Sequence, residues 1–214
     1  VALFGSKPLD FSYEEIRCSD TSRGHRFMSP VFFKVSGIDD YLKSCEKHFI
    51  MIDPLVRKKS IHDQVSSLAG EVNGIVILDQ ELLEEVNYLV EYPFAVRGGF
   101  EKNFLELPRE LLITTMKQHQ KYFPLENKDG GLLPYFITIS NVKPGPGNEI
   151  LHGNERVLRA RLEDARFFFD EDRKQKGIYG LVHFLMRSKK LVILWSPPQF
   201  YRKWCVYEIA AYQR

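Results

Sequence analysis

Tyr122-Phe-Pro-Leu-Glu-Asn-Lys-Asp-Gly-Gly-Leu-Leu-Pro-Tyr-Phe-Ile-Thr-Ile-Ser140 holds two apolar runs, residues 122–125 and 133–140, around a turn of Asn, Asp and Gly. Runs of that length flanking a glycine-bearing turn predict a β-hairpin. Before it, Pro108 opens a helix expected to reach Gln118, and residues 92–97 form a strand ended by Gly98-Gly99. Leu82, Leu83, Val86 and Leu89 line one side of a helix over residues 80–90, and a strand is expected over 75–78. Asp53-Pro54 reads as a helix start, with Asp53 capping and Pro54 at the first helical position, and Gly70 as the stop.

Further upstream, residues 38–48 have helical spacing and residues 49–52 read as a buried strand. The first 35 residues read as short strands of one small antiparallel sheet: 1–4, 11–16 and 32–35. Downstream, Lys143-Pro-Gly-Pro-Gly147 is a linker, and Asn154 is expected to cap a long helix to Lys174. Helices and short strands mix without a βαβ rhythm or an internal repeat, so the fold class is α+β.

At 214 residues, 44% hydrophobic and 27% charged, the chain can bury a core, and no apolar run approaches the roughly 20 residues a membrane helix needs. Any targeting segment is expected to have been lost upstream of Val1. Cys18, Cys45 and Cys205 lack metal or disulfide spacing and read as reduced thiols. A net charge of +2 is too mild to imply a polyanion partner, so only local clusters can argue for RNA. No phosphate loop or nucleophile elbow occurs, and no catalytic residue is assigned. His62-Asp63 falls mid-helix on a polar face without further ligands, so no metal site is assigned.

Three cationic clusters are RNA-binding candidates. Lys117, His119, Gln120 and Lys121 sit where a helix runs into a strand. Arg156, Arg159 and Arg161 lie on the long helix, where Arg159 and Glu163 have ion-pair spacing and Arg159 and Arg166 share a side that Arg161 does not. Arg23, His25 and Arg26 follow Ser22 in a loop and could clamp a phosphate or a carboxylate. For each cluster the competing reading is a capping, solvated or salt-bridged surface. Phe167, Phe168 and Phe169 exceed one buried stripe, so part of that group is expected to face another domain.

Arg23-Gly-His-Arg-Phe-Met28, Thr115-Met-Lys-Gln-His-Gln-Lys-Tyr-Phe-Pro124, the strand 132–141 and Gly153-Asn-Glu-Arg-Val-Leu-Arg-Ala-Arg-Leu-Glu-Asp-Ala-Arg-Phe-Phe-Phe-Asp170 follow one another along the chain. Together they resemble the β subunit of the bacterial-type, two-subunit glycyl-tRNA synthetase, over residues 1–176. The resemblance implies part of a glycine-tRNA ligase that positions tRNA for an α subunit or α-like domain, where glycine and ATP (with Mg) are used. No cofactor is expected in this chain. The region is also similar to the tRNA-editing-type module of the phenylalanyl synthetase β subunit, a likeness that does not carry editing activity with it. A cytoplasmic location is implied, with a plastid or other organelle as the alternative.

Lys189-Lys-Leu-Val-Ile-Leu-Trp-Ser-Pro197 and Trp204-Cys-Val-Tyr-Glu208 instead resemble a TIR-type domain, with Glu208 at the position of that family's catalytic glutamate. Residues 177–214 are therefore expected to be a poorly integrated fusion, exon-junction or gene-model artefact. The alternatives are a TIR-like signalling or NAD-hydrolysing protein with an unrelated N-terminal domain, or a relic without function.

Overall fold

A four-stranded antiparallel sheet positions everything else. The structure is a computed structural model describing residues 1–174, so the TIR-like stretches and Cys205 lie outside the described residues. The packing below belongs to the compact unit Val1–Phe167. The strands are β7 (Ile75–Val76), β8 (Phe94–Gly99), β9 (Phe123–Glu126) and β10 (Leu132–Ser140), in the order β7-β9-β10-β8. β9 and β10 are the expected hairpin. Asn127 closes its turn by accepting at Oδ1 from the amides of Asp129 (3.0 Å) and Gly131 (2.7 Å). Gly130 takes φ 81°, which a side chain would strain.

Helices α2 (Pro54–Gly70) and α3 (Gln80–Leu89) cover one face of the sheet. Ile61, Val65 and Ala69 of α2 and Leu82, Leu83 and Val86 of α3 bury against Phe123, Leu125 and Ile137. Asp53 and Asp79 cap the two helices, each accepting at Oδ1 from two first-turn amides. Arg57 is buried between the helices, its Nε donating to the Asn87 carbonyl at 2.8 Å. Helix α5 (Glu149–Lys174) is linked to the other face, where Phe136 alternates with Ile137 along β10, through Asn154, which accepts from the Tyr122 that stacks on Phe136. Gly98 pairs with Phe136, and a Cβ there would lie 2.4 Å from the Phe136 ring, so the ring occupies the space that glycine leaves. The amides of Ala95 and Gly99, of like parity on edge strand β8, are closed by Gln64 and Glu155 at 2.9 Å each.

The amino-terminal part is three separate two-stranded ribbons rather than one sheet: β1 (Leu3–Phe4) with β2 (Lys7–Pro8), β3 (Ser12–Tyr13) with β4 (Ile16–Arg17), and β5 (Thr21–Arg23) with β6 (Phe32–Lys34). The run expected as one strand over 11–16 folds back on itself, with Glu14 at φ 54°. Residues 49–52, expected as a strand, are irregular. Phe49 turns at φ 59° after α1 (Ile38–Lys47), and Met51 donates to the Glu91 carbonyl at 2.9 Å. Gly98 and Gly99 are the last two residues of β8, so the strand ends on the glycine pair rather than before it. α5 starts at Glu149, ahead of Asn154.

Replacing Gly98 with alanine should overpack the Phe136 contact and lower the unfolding free energy by roughly 1–3 kcal/mol. Urea titration of G98A and of G98A/F136L checks this. The second change should restore part of the stability, because the two sites share one volume.

Candidate nucleic-acid interface

The helix expected over 108–118 is two pieces: α4 (Arg109–Thr114), then a π-helical turn over Thr115–His119. Thr115 and Met116 are buried, and the Thr115 hydroxyl donates to the Leu111 carbonyl at 2.8 Å. The turn closes through Lys121 N–H to the Lys117 carbonyl (3.1 Å) and Tyr122 N–H to the Met116 carbonyl (3.0 Å). That closure puts Lys121 in the left-handed region at φ 58°, a place glycine or asparagine usually takes.

Both lysines of the turn are paired to α3. Lys117 Nζ lies 3.3 Å from Asp79 Oδ2, and Lys121 Nζ lies 2.8 Å from Glu85 Oε1. At Asp79 burial opposes the charge, but the Leu82 and Glu81 amides and Lys117 outweigh it and hold the carboxyl below its ordinary value. Lys117 therefore joins a helix cap to the turn. Gln120 is half-buried, whereas Gln118 and His119 are exposed.

Tyr122 follows directly. Its ring stacks on Phe136 (4.5 Å between centroids, 17° between planes), and its hydroxyl donates to Asn154 Oδ1 at 2.6 Å. Burial pushes the phenol up to about 12. Asn154 in turn donates from Nδ2 to the Ile150 carbonyl, so the residue expected to cap α5 ties its first turn to the sheet.

On α5, Glu155 accepts from the Gly99 amide, Arg159 pairs with Glu101, and Arg166 donates to the Asn103 carbonyl while lying 4.6 Å over the Phe104 ring. Arg159 and Arg166 thus share a side, and it faces the protein; Arg159 pairs with Glu101 instead of the expected Glu163. An open groove of about 330 Å³ beside this pair is lined by Glu101, Lys102, Tyr135, Glu155 and Arg159. Arg156 and Arg161 are exposed and form no ion pair among the described residues.

The Arg23–Arg26 cluster divides. Arg23, at the end of β5, is exposed with its guanidinium 5.7 Å over the Phe32 ring, and Arg26 is exposed. His25 is fully buried, which removes it from any RNA surface. Its Nδ1 accepts from the amides of Phe27 and Met28 at 3.2 Å each, so the ring proton sits on Nε2, 3.8 Å from Glu91. A Cβ on Gly24 would lie 2.4 Å from the Ser29 carbonyl oxygen, which explains the glycine before it. His62 lies exposed on α2 at 3.4 Å from Asp63, and no three potential metal ligands converge among the described residues.

These motifs share their pattern with known proteins. A family model described as glycyl-tRNA synthetase beta subunit matches residues 1–185. The chain belongs to the glycyl-tRNA synthetase β-subunit family. It is 51% identical over 176 residues to a glycine–tRNA ligase beta subunit of Syntrophotalea carbinolica, covering 82% of this chain and 26% of that relative. It is 51% identical over 174 residues to the beta subunit of Citrifermentans bemidjiense (81% and 25%) and 47% over 176 residues to that of Geobacter sulfurreducens (82% and 26%). The chain thus spans about a quarter of the length of these relatives. Among the described residues no helix is long and apolar enough to cross a membrane.

The strained turn gives a direct test. Lys121→Ala and Lys121→Gly both remove the Glu85 pair, but only glycine relieves the left-handed backbone. Lys121→Gly should therefore be the more stable variant by roughly 1 kcal/mol, measured as a difference in urea midpoint. Equal midpoints would show that φ 58° carries no strain.

Proposed function

We propose that this chain acts as the tRNA-interacting part of a glycine-tRNA ligase, working with an α subunit or α-like domain that carries the ATP-dependent chemistry. The family match over residues 1–185 carries this reading. The contribution is positional. Phosphate and shape contacts hold tRNA so that its acceptor end reaches the partner's active site, which replaces a bimolecular encounter with an oriented one.

The geometry supports a particular division of labour among the cations. Lys117, Lys121 and Arg159 already face carboxylates at home, and moving them to phosphate would leave Asp79, Glu85 and Glu101 unpaired. At about 100° per residue, Arg156 and Arg161 fall outside the docking side of α5 set by Glu155, Arg159 and Arg166. These two arginines, with Arg26, bind phosphate in this reading.

Arg156→Ala with Arg161→Ala should weaken tRNA binding and flatten its salt dependence. The slope of log affinity against log salt should fall by roughly 0.7–0.9 for each phosphate no longer neutralised. Lys117→Ala with Lys121→Ala should lower stability and leave the slope near that of the parent. Filter binding of a glycine-tRNA transcript across a salt series, beside thermal unfolding, checks both. An unchanged slope in the arginine variant would remove these residues from the interface.

A further inference from the structure

The turn at residues 115–121 is built at a cost. It is π-helical, an uncommon geometry that recurs at functional sites, and it ends on a lysine in the left-handed region. Everything beneath it is fixed: Thr115 and Met116 are buried, Lys117 and Lys121 are paired to α3, and Tyr122 is stacked and hydrogen-bonded. What this foundation presents to solvent is Gln118 and His119. The exposed side chains of the turn are thus a carboxamide and an imidazole. A carboxamide offers a donor and an acceptor side by side, the pattern that pairs with a base edge, and an imidazole ring can stack on a base.

We propose that Gln118 and His119 form a nucleobase-reading site that takes an unpaired nucleotide of the bound RNA by hydrogen bonding and stacking. The inference rests on the tRNA-binding reading above and deepens it. Phosphate contacts from the arginines hold the RNA, and the rigid turn inspects one base. In this π-helical turn two consecutive residues, Gln118 and His119, are both exposed close after buried Met116.

The test compares the full chain with Gln118→Ala/His119→Ala, using a glycine-tRNA transcript over a salt series and thermal unfolding as a control. A base-reading site predicts a roughly tenfold or greater fall in affinity, an unchanged salt slope and an unchanged melting temperature. Gln118→Glu, which keeps the shape and removes the amide donors, should reduce affinity alone. Parent-like affinity in the double variant would overturn the inference and leave the tRNA reading standing. A flattened salt slope would also overturn it, by assigning the two residues to phosphate. Absence of tRNA binding by the parent would overturn both readings.

Discussion

Tyr122 is the joint on which the described structure depends. Three units meet there: the π-helical turn through its backbone N–H, the sheet through its stack on Phe136, and helix α5 through its hydroxyl and Asn154. A buried phenol must find an acceptor, and one side chain that stacks and donates at once fixes both distance and orientation. Gly98 extends the constraint to β8, because its missing Cβ leaves room for the ring on which Tyr122 stacks.

Much of the charge that suggested a polyanion site is used to hold elements together. Lys117 and Lys121 tie the turn to α3, and Arg159 and Arg166 tie α5 to the segment 101–104. Pairs with partly exposed partners contribute little individually to stability. Here each also sets the angle of an element that carries other exposed groups. Outside these pairs, the exposed arginines of the candidate clusters are Arg23, Arg26, Arg156 and Arg161.

The α+β class, the hairpin and the Asp53-Pro54 helix start were legible because local chemistry decides them: a turn needing positive φ, alternating apolar residues, a cap and a proline. The errors lie where distant partners decide. Residues 49–52 are apolar enough for a strand, yet they join no ladder among the described residues, and Met51 instead bonds to Glu91. Asn154 has a capping side chain, but Tyr122, 32 residues away, takes its oxygen. His25 looked like a loop ligand because nothing in its neighbours announces that Nδ1 will accept two amides in a buried turn. The split between inward and outward cations was half visible. Helical spacing placed Arg159 and Arg166 together, but could not say that their side faces Glu101 and Phe104.

The coupling at Tyr122 can be measured by a double-mutant cycle on unfolding free energy with Tyr122→Phe and Asn154→Ala. A hydroxyl that ties the turn to α5 predicts a non-additive term on the order of 1 kcal/mol. The double variant would then be only slightly less stable than either single one. Destabilisations that add within about 0.3 kcal/mol would mean that the two side chains act independently and that the turn, sheet and α5 are not joined at this residue.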